Sequence, residues 1–519
     1  MAESAPIATT RAGKIRGFVE NGVLAFKGVR YGADTATTRF AAPRPPDPWP
    51  GIEDAVAYGN STLQPESGDG GGLFASWRPK PARPMSEDCL FLNVWTRALG
   101  DGGKRPVMVW FHGGGFATGS GSSNGYDGVR LAKRGDVVVI TVNHRLNIFG
   151  HLYLAAFGPQ FADSGNAGIL DLILALEWVR DNVAEFGGDP DNVTIFGESG
   201  GGAKVSVLMA MDEAEGLFHR GIVQSGPLLQ VIPAQQARAA AQAVVAKLGL
   251  SESTIDRILT LPPAEIQKAV READAEGAGG GAPGLFAGIA SGPVLDQRNI
   301  ECHPFHPEAA PQSRSIPLLI GVNRTETSLL VGAGRPDLFD LTWDTLPGPL
   351  KQALPGFEVE SIIAGYRDLH PGYSPAAVYF TITSDRTFLR NSTVQADRKS
   401  AQGGADVFFY LLDWNTPVGG GKWLCPHALD IGFVFDNVAK SESMSGLGPD
   451  QQRLADMMSE SWLAFARTGN PANPLIPSWP AYDAQRRPVM VFDLEPRVVD
   501  DPRAPERALF QPASARVPA

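Results

Sequence analysis

The stretch from Val193 to Met211 constrains the fold of this chain more than any other. It sets the pentapeptide Gly197-Glu198-Ser199-Gly200-Gly201 between an apolar β-type run, Val193 to Phe196, and a helical run, Ala203 to Met211, in which Val205, Leu208 and Met209 follow a helical period. A buried strand that turns sharply through a serine into a helix holds the hydroxyl clear of the backbone, and the helix N-terminus favours negative charge beside it. The flanking glycines permit the tight approach. The five-residue pattern alone selects nothing, because the chain has 59 glycines and Gly121-Ser122-Ser123-Asn124-Gly125 fits it as well. Ser123 has neither the strand nor the helix, so the context singles out Ser199.

Other apolar runs extend this picture: Val107 to Phe111, Val137 to Val142, Ile222 to Gln224, Pro317 to Ile320, Val407 to Leu412 and Val489 to Phe492 read as buried strands. Gly168 to Phe186 carries Leu170, Leu174, Trp178 and Val179 near helical spacing and is ended by Gly187-Gly188 and an Asp189-Pro190 turn. Strand, helix, strand predicts a parallel sheet, giving an α/β fold with helices on both faces. The first ninety residues, with short runs at Lys14 to Phe18 and Val23 to Val29, read as an antiparallel lead-in to that sheet rather than a separate domain. Residues 1–519 are therefore expected to form a single catalytic domain. Two insertions are expected to shape a substrate gorge: 65–84, rich in Gly and Pro, and 234–290, helical to Ala278 and then passing into Gly279-Gly280-Gly281.

Composition excludes several classes of function. A formal net charge of -11 and the absence of a Lys/Arg cluster argue against nucleic acid as a partner. The opening residues lack a basic segment followed by an apolar one, and no apolar run reaches membrane-spanning length, so a cytoplasmic protein is expected. Cys89, Cys302 and Cys425 are odd in number and far apart, which suits free thiols better than a disulfide framework. The cluster Cys302-His303-Pro304-Phe305-His306 offers too few close ligands for a metal site. No metal and no cofactor are expected.

His112-Gly113-Gly114-Gly115-Phe116 follows the run Val107 to Phe111, and glycines at that place let bare N–H groups reach the oxygen of a tetrahedral intermediate. With Ser86 to Trp95, Asn143 to Leu146, Gly187 to Pro190, Gln224 to Gly226 and Phe465 to Pro471, these motifs give a chain that resembles, over nearly its whole length, the type B carboxylesterase family, bacterial para-nitrobenzyl esterases and cholinesterases among them. The resemblance implies the α/β-hydrolase fold. It also implies an acid at Glu326, after the strand in Ile316 to Glu326, although Thr325 and Thr327 stand where the family usually has Asp and Gly. It implies a base at His427, in a loop, Pro426 to Phe435, like that of the bacterial esterases. The chain order Ser199, Glu326, His427 is that of α/β hydrolases.

In this reading Gly114, Gly115 and Gly200 supply the oxyanion N–H groups. Gly200 replaces the family's usual Ala, which keeps the donor but is expected to loosen the backbone. Glu198 assists cationic substrates in cholinesterases, and here is expected to order the turn by hydrogen bonding. Ser225 resembles a serine behind the nucleophile, or is an ordinary buried hydroxyl. The cysteine that would pair with Cys89 in eukaryotic relatives is missing. Arg39 and Glu87 occupy the places of a buried structural ion pair, and His144, where the family has Tyr, is expected to be structural.

The expected activity is hydrolysis of small to medium neutral carboxylic esters through an acyl-enzyme. Carbamate or amide hydrolysis by the same triad is the near alternative. A non-catalytic binding protein of the kind the family also contains is the distant one, disfavoured because all three triad positions are filled and no membrane anchor follows the domain. An ordinary histidine base predicts kcat/KM falling on acidification through roughly pH 7 to 6. Monomer and homodimer stay open.

Overall fold

The computed structural model of the chain describes residues 5–65, 72–78, 84–278, 288, 290 and 292–510. Among them, eleven strands form one sheet: β1 (Phe18–Glu20), β2 (Val23–Arg30), β3 (Phe91–Thr96), β4 (Arg105–Phe111), β5 (Val138–Val142), β6 (Gly188–Glu198), β7 (Arg220–Gln224), β8 (Leu318–Asn323), β9 (Val407–Leu412), β10 (Pro488–Phe492) and β11 (Arg497–Asp500). Their order across the sheet is 11-10-9-8-7-6-4-5-3-2-1. The pairings from β10 through β5 are parallel, and both edges are antiparallel.

The central strands read as unbroken apolar runs because both of their faces are covered. Along β4, Val107, Val109 and Phe111 enter one apolar core while Met108 and Trp110 enter the other. Helices α1 (Ala167–Asn182) and α2 (Gly200–Leu208) pack in the first core. Further along the chain come α3 (Ala234–Lys247), α4 (Pro263–Ala275), α5 (Leu429–Val434) and α6 (Pro449–Thr468), of which α5 and α6 pack in the second core.

The structure departs from the sequence reading in local ways. Lys14 to Phe18 is not one strand: Lys14–Arg16 pairs with Ile7–Thr9 and Ile52–Asp54 in a small separate sheet, and the chain breaks at Gly17 before β1. A Cβ at Gly17 would lie 2.4 Å from the Ala25 carbonyl oxygen. The expected Asp189-Pro190 turn lies inside β6 as an irregularity of the β4–β6 ladder, where Arg105 pairs with Gly188 but Val107 with Val193. Pro106, between those partners, has no N–H to give the ladder.

Helices α3 and α4 gather around Phe40, Ile148, Phe149 and Phe161 in a small core of their own. The insertion at 65–84 is described only at 65, 72–78 and 84, and Gly279-Gly280-Gly281 lies outside the described residues. Arg39 and Glu87 form the expected ion pair, with two bonds of 2.6 Å, and the Arg39 Nη1 also donates to the carbonyls of Ile258 and Leu261. No helix among the described residues is long and apolar enough to cross a membrane.

Candidate active site

Ser199 is the single residue between β6 and α2, and it holds φ 57°, ψ −124°, a region that non-glycine residues rarely occupy. Its neighbours enforce the turn. The Ser199 N–H donates to the Gln224 carbonyl at the end of β7 (2.8 Å), and a Cβ at Gly226 would lie 2.0 Å from the Ser199 carbonyl oxygen. The side chain is half-buried and opens on a cleft of about 370 Å³, also lined by Glu198, His427 and the aromatic rings of Phe74, Trp77 and Tyr126. Phe74 and Trp77 come from the 65–84 insertion, whereas α3 and α4 supply no described lining residue.

Beside Ser199 runs the loop His112 to Phe116. Each of its carbonyls is engaged: those of His112 and Gly115 by the Lys204 ammonium, that of Gly113 by His112 Nδ1 (2.8 Å), that of Gly114 by the N–H groups of Ala117 and Thr118, and that of Phe116 by the Asn147 N–H (2.6 Å). A trans peptide sends each N–H opposite to the preceding carbonyl. Among the described residues nothing accepts from the N–H groups of Gly114, Gly115 or Gly200, and Gly114 and Gly115 sit at φ 89° and 65°. Gly200 also has a packing reason. A Cβ there would lie 2.1 Å from the Gly115 carbonyl oxygen, so the loop fills the space a methyl group would need.

Glu326, at the N-cap of a short helical turn just after β8, is fully buried. Its Oε1 accepts from the Ser225 hydroxyl (2.6 Å) and the Asn323 N–H (2.7 Å), and its Oε2 lies 2.6 Å from His427 Nδ1. The two unusual threonines have identifiable work. Thr325 binds the histidine loop three times, its hydroxyl bonding both the N–H and the carbonyl of Cys425 (2.9 Å each) and its own N–H donating to that carbonyl (3.0 Å). The Thr327 hydroxyl donates to the Phe380 carbonyl (3.0 Å), and its N–H donates to the Ser384 hydroxyl. Ser384 leads into a π-helical turn, Asp385–Leu389, that carries Phe388 to 5.2 Å from the His427 ring.

His427 Nε2 makes no hydrogen bond with the described residues; it lies 3.0 Å from Glu198 Oε1 in an orientation too poor to be one. Glu198 therefore faces the imidazole. One turn further on, the buried Asp430 accepts from Gln224 Nε2 (2.9 Å) and the Tyr410 hydroxyl (2.7 Å). Burial raises the carboxyl pKa values of Glu198, Glu326 and Asp430, and the His427 charge opposes the rise at Glu198 and Glu326. Burial pulls the His427 imidazole down, but the carboxylates of Glu198 and Glu326 outweigh it and hold the imidazole above its ordinary value.

The three sequence-selected side chains thus come together as Ser199 and His427 on one cleft, with Glu326 behind the histidine. Lys204, Asp430 and Phe388 did not emerge from the sequence reading. Lys204 had a signal, as the only charged residue on an apolar helix, whereas Asp430 and Phe388 are brought in by tertiary packing alone. Elsewhere, the Ser123 hydroxyl is occupied by the Trp77 carbonyl, and His144 is buried with its ring stacked on His112. His303 Nδ1 accepts from the Val231 N–H, and the three thiols are unpaired.

A mostly parallel sheet covered on both faces, with a strained serine between strand and helix and a histidine on a loop after a later strand, defines a serine hydrolase of the α/β-hydrolase fold. The chain belongs to the carboxylesterase family, whose profile matches residues 4–510. It is 35% identical over 98% of its length to the para-nitrobenzyl esterase of Bacillus subtilis (strain 168), covering 99% of that protein. It is 33% identical to the phenmedipham hydrolase of Pseudarthrobacter oxydans, over 94% of each chain. Among solved structures, a Geobacillus stearothermophilus carboxylesterase superposes with TM-score 0.81 at 38% identity, over 97% of this chain and 100% of that one. An esterase from Clostridium hathewayi that can hydrolyse aliphatic aromatic polyesters gives TM-score 0.83 at 32% identity, over 98% of each. The chain is a carboxylesterase, and family membership supports ester hydrolysis.

Proposed function

We propose that this carboxylesterase cleaves small to medium neutral esters in two steps, with Ser199 as nucleophile, His427 as general base and Glu326 as the acid that orients it. His427 Nε2 takes the Ser199 proton as Oγ attacks the ester carbonyl, and the oxyanion rests on the N–H groups of Gly114, Gly115 and Gly200. His427 then protonates the departing alcohol, and water attacks the acyl-enzyme by the same route. Before attack the free Nε2 must turn from Glu198 to bond the serine, an adjustment common when catalytic groups meet without substrate. The aromatic wall of Phe74, Trp77 and Tyr126 favours esters with an aryl or short apolar group. The observation that carries the reading is the strained Ser199 sharing a cleft with the Glu326-bound His427. Three unpaired thiols favour a cytoplasmic setting.

The test is turnover of p-nitrophenyl esters of rising acyl length, run beside an aryl carbamate. Ser199→Ala is expected to lower kcat by roughly 10⁴-fold or more and to abolish labelling by a fluorophosphonate. Turnover unchanged in that variant overturns the assignment, and faster carbamate than ester cleavage overturns the substrate class.

A further inference from the structure

Lys204 plays no part in the mechanism above, yet it occupies an unusual place. It lies on α2 between Ala203 and Val205, fully buried, and its ammonium has no carboxylate partner among the described residues. A side chain on a helix leans toward the N-terminal turn, here the turn that begins at Ser199. Its Nζ donates to the carbonyls of His112 (3.0 Å) and Gly115 (2.9 Å), and the Phe116 ring centre lies 5.3 Å away. The titratable groups around it are the rings of His112, His144 and His151, each kept neutral first by burial and then by the lysine charge. Burial pulls the ammonium below the ordinary lysine value, while the two carbonyls it bonds favour the charged form. An isolated cation in a core is costly and serves packing worse than an apolar residue would.

The two carbonyls that Lys204 grips stand at the two ends of the glycine loop. Their own peptide planes carry the N–H groups of Gly113 and Phe116, so Lys204 anchors both ends of the loop while the carbonyls of Gly113 and Gly114, held by His112 Nδ1 and by the N–H groups of Ala117 and Thr118, set the planes of the Gly114 and Gly115 donors; drawing Gly115 down also presses its carbonyl into the space left by Gly200. A cation behind those peptides adds positive potential in front of them. That potential matters little to a neutral ester and more as the carbonyl oxygen becomes an anion.

We propose that Lys204 is a positioning residue for ester cleavage: its ammonium, seated on the carbonyls of His112 and Gly115, locks the loop with its donors facing the reacting carbonyl and supports the forming oxyanion electrostatically. This rests on the reading that Gly114, Gly115 and Gly200 hold that oxyanion. The experiment compares the wild-type chain with Lys204→Met and Lys204→Gln. It reads kcat and KM for p-nitrophenyl acetate and the inhibition constants of an aryl trifluoromethyl ketone and its methyl ketone counterpart. In the trifluoromethyl adduct Ser199 Oγ bonds the ketone carbon, the serine proton passes to His427, and the carbonyl electron pair becomes an oxyanion; the methyl ketone binds uncharged.

Lys204→Met is expected to lower kcat by about tenfold or more with KM within about twofold, and to weaken the trifluoromethyl ketone by the same factor while sparing the methyl ketone. Lys204→Gln, which keeps a donor without the charge, is expected to fall between. A folded variant of either kind that binds both ketones as the wild type does overturns the proposal, as does an equal loss for both, which is the mark of mere packing. Failure of the wild type to form the trifluoromethyl adduct counts instead against Ser199 as nucleophile.

Discussion

Glu198 and His427 set the pH at which the base can act. A histidine accepts the serine proton only when neutral, and here Nε2 stands 3.0 Å from one buried carboxyl while Nδ1 is bonded to another. Both carboxylates favour the imidazolium, so its pKa is raised and the neutral base emerges only as pH climbs through that raised value. The acidic limb of kcat/KM is therefore expected above the ordinary imidazole value of about 6.5, higher than an unperturbed histidine gives. Glu198→Gln removes one of the two charges and lowers the imidazole pKa, moving the limb to more acidic pH. Profiles of kcat/KM from pH 5 to 10 for both proteins check this, and coincident midpoints remove Glu198 from the account. Glu198 was legible in sequence as the neighbour of the serine. Its contact with His427 was not, because it depends on how a loop more than two hundred residues away folds back.

At the scale of elements, the legible parts were those whose burial writes a pattern. The central strands β4 to β10 are covered on both faces and show as apolar runs. The edge strand β11, Arg497–Asp500, is largely exposed and carries no such mark. Ser199 was legible because strand, turn and helix are contiguous, whereas Glu326 and His427 needed the family resemblance, since each sits on a loop whose purpose is only visible across the sheet. Thr325 shows what that view misses: it looked like a weakening of the acid's motif, yet it fastens the Glu326 loop to the His427 loop. Thr325→Val keeps the volume but leaves the Cys425 N–H without its acceptor, a loss of about 1 to 3 kcal/mol for a buried donor. The expected result is a lower urea midpoint together with a fall in kcat, because the same bond holds the histidine in place. Lost stability with kcat intact shows that the loops keep their register without it.

Over the whole molecule, we propose that residues 1–519 act as one catalytic domain, because buried charges tie its parts together. Arg145 follows β5, and Asp171 lies on α1. Both are buried, and the Asp171 carboxylate accepts from the Arg145 backbone N–H (2.8 Å), Nε (2.9 Å) and Nη2 (2.7 Å). Arg145 Nη1 also donates to the Ala41 carbonyl (2.8 Å), so one guanidinium joins the lead-in, the sheet and the helix layer. Two residues before Ala41, Arg39 carries the tie to Glu87 and to the insertion through Ile258 and Leu261. Asp171→Asn keeps the shape but leaves the guanidinium without its counter-charge, which typically costs about 3 to 5 kcal/mol when a buried pair is broken. If the chain is one cooperative unit, that loss is shared by every part of it. Tryptophan fluorescence, far-UV circular dichroism and esterase activity should then be lost together in urea, at a lower midpoint and with an unchanged slope. An early transition confined to one probe would instead mean that the helical insertion, or the lead-in, unfolds on its own.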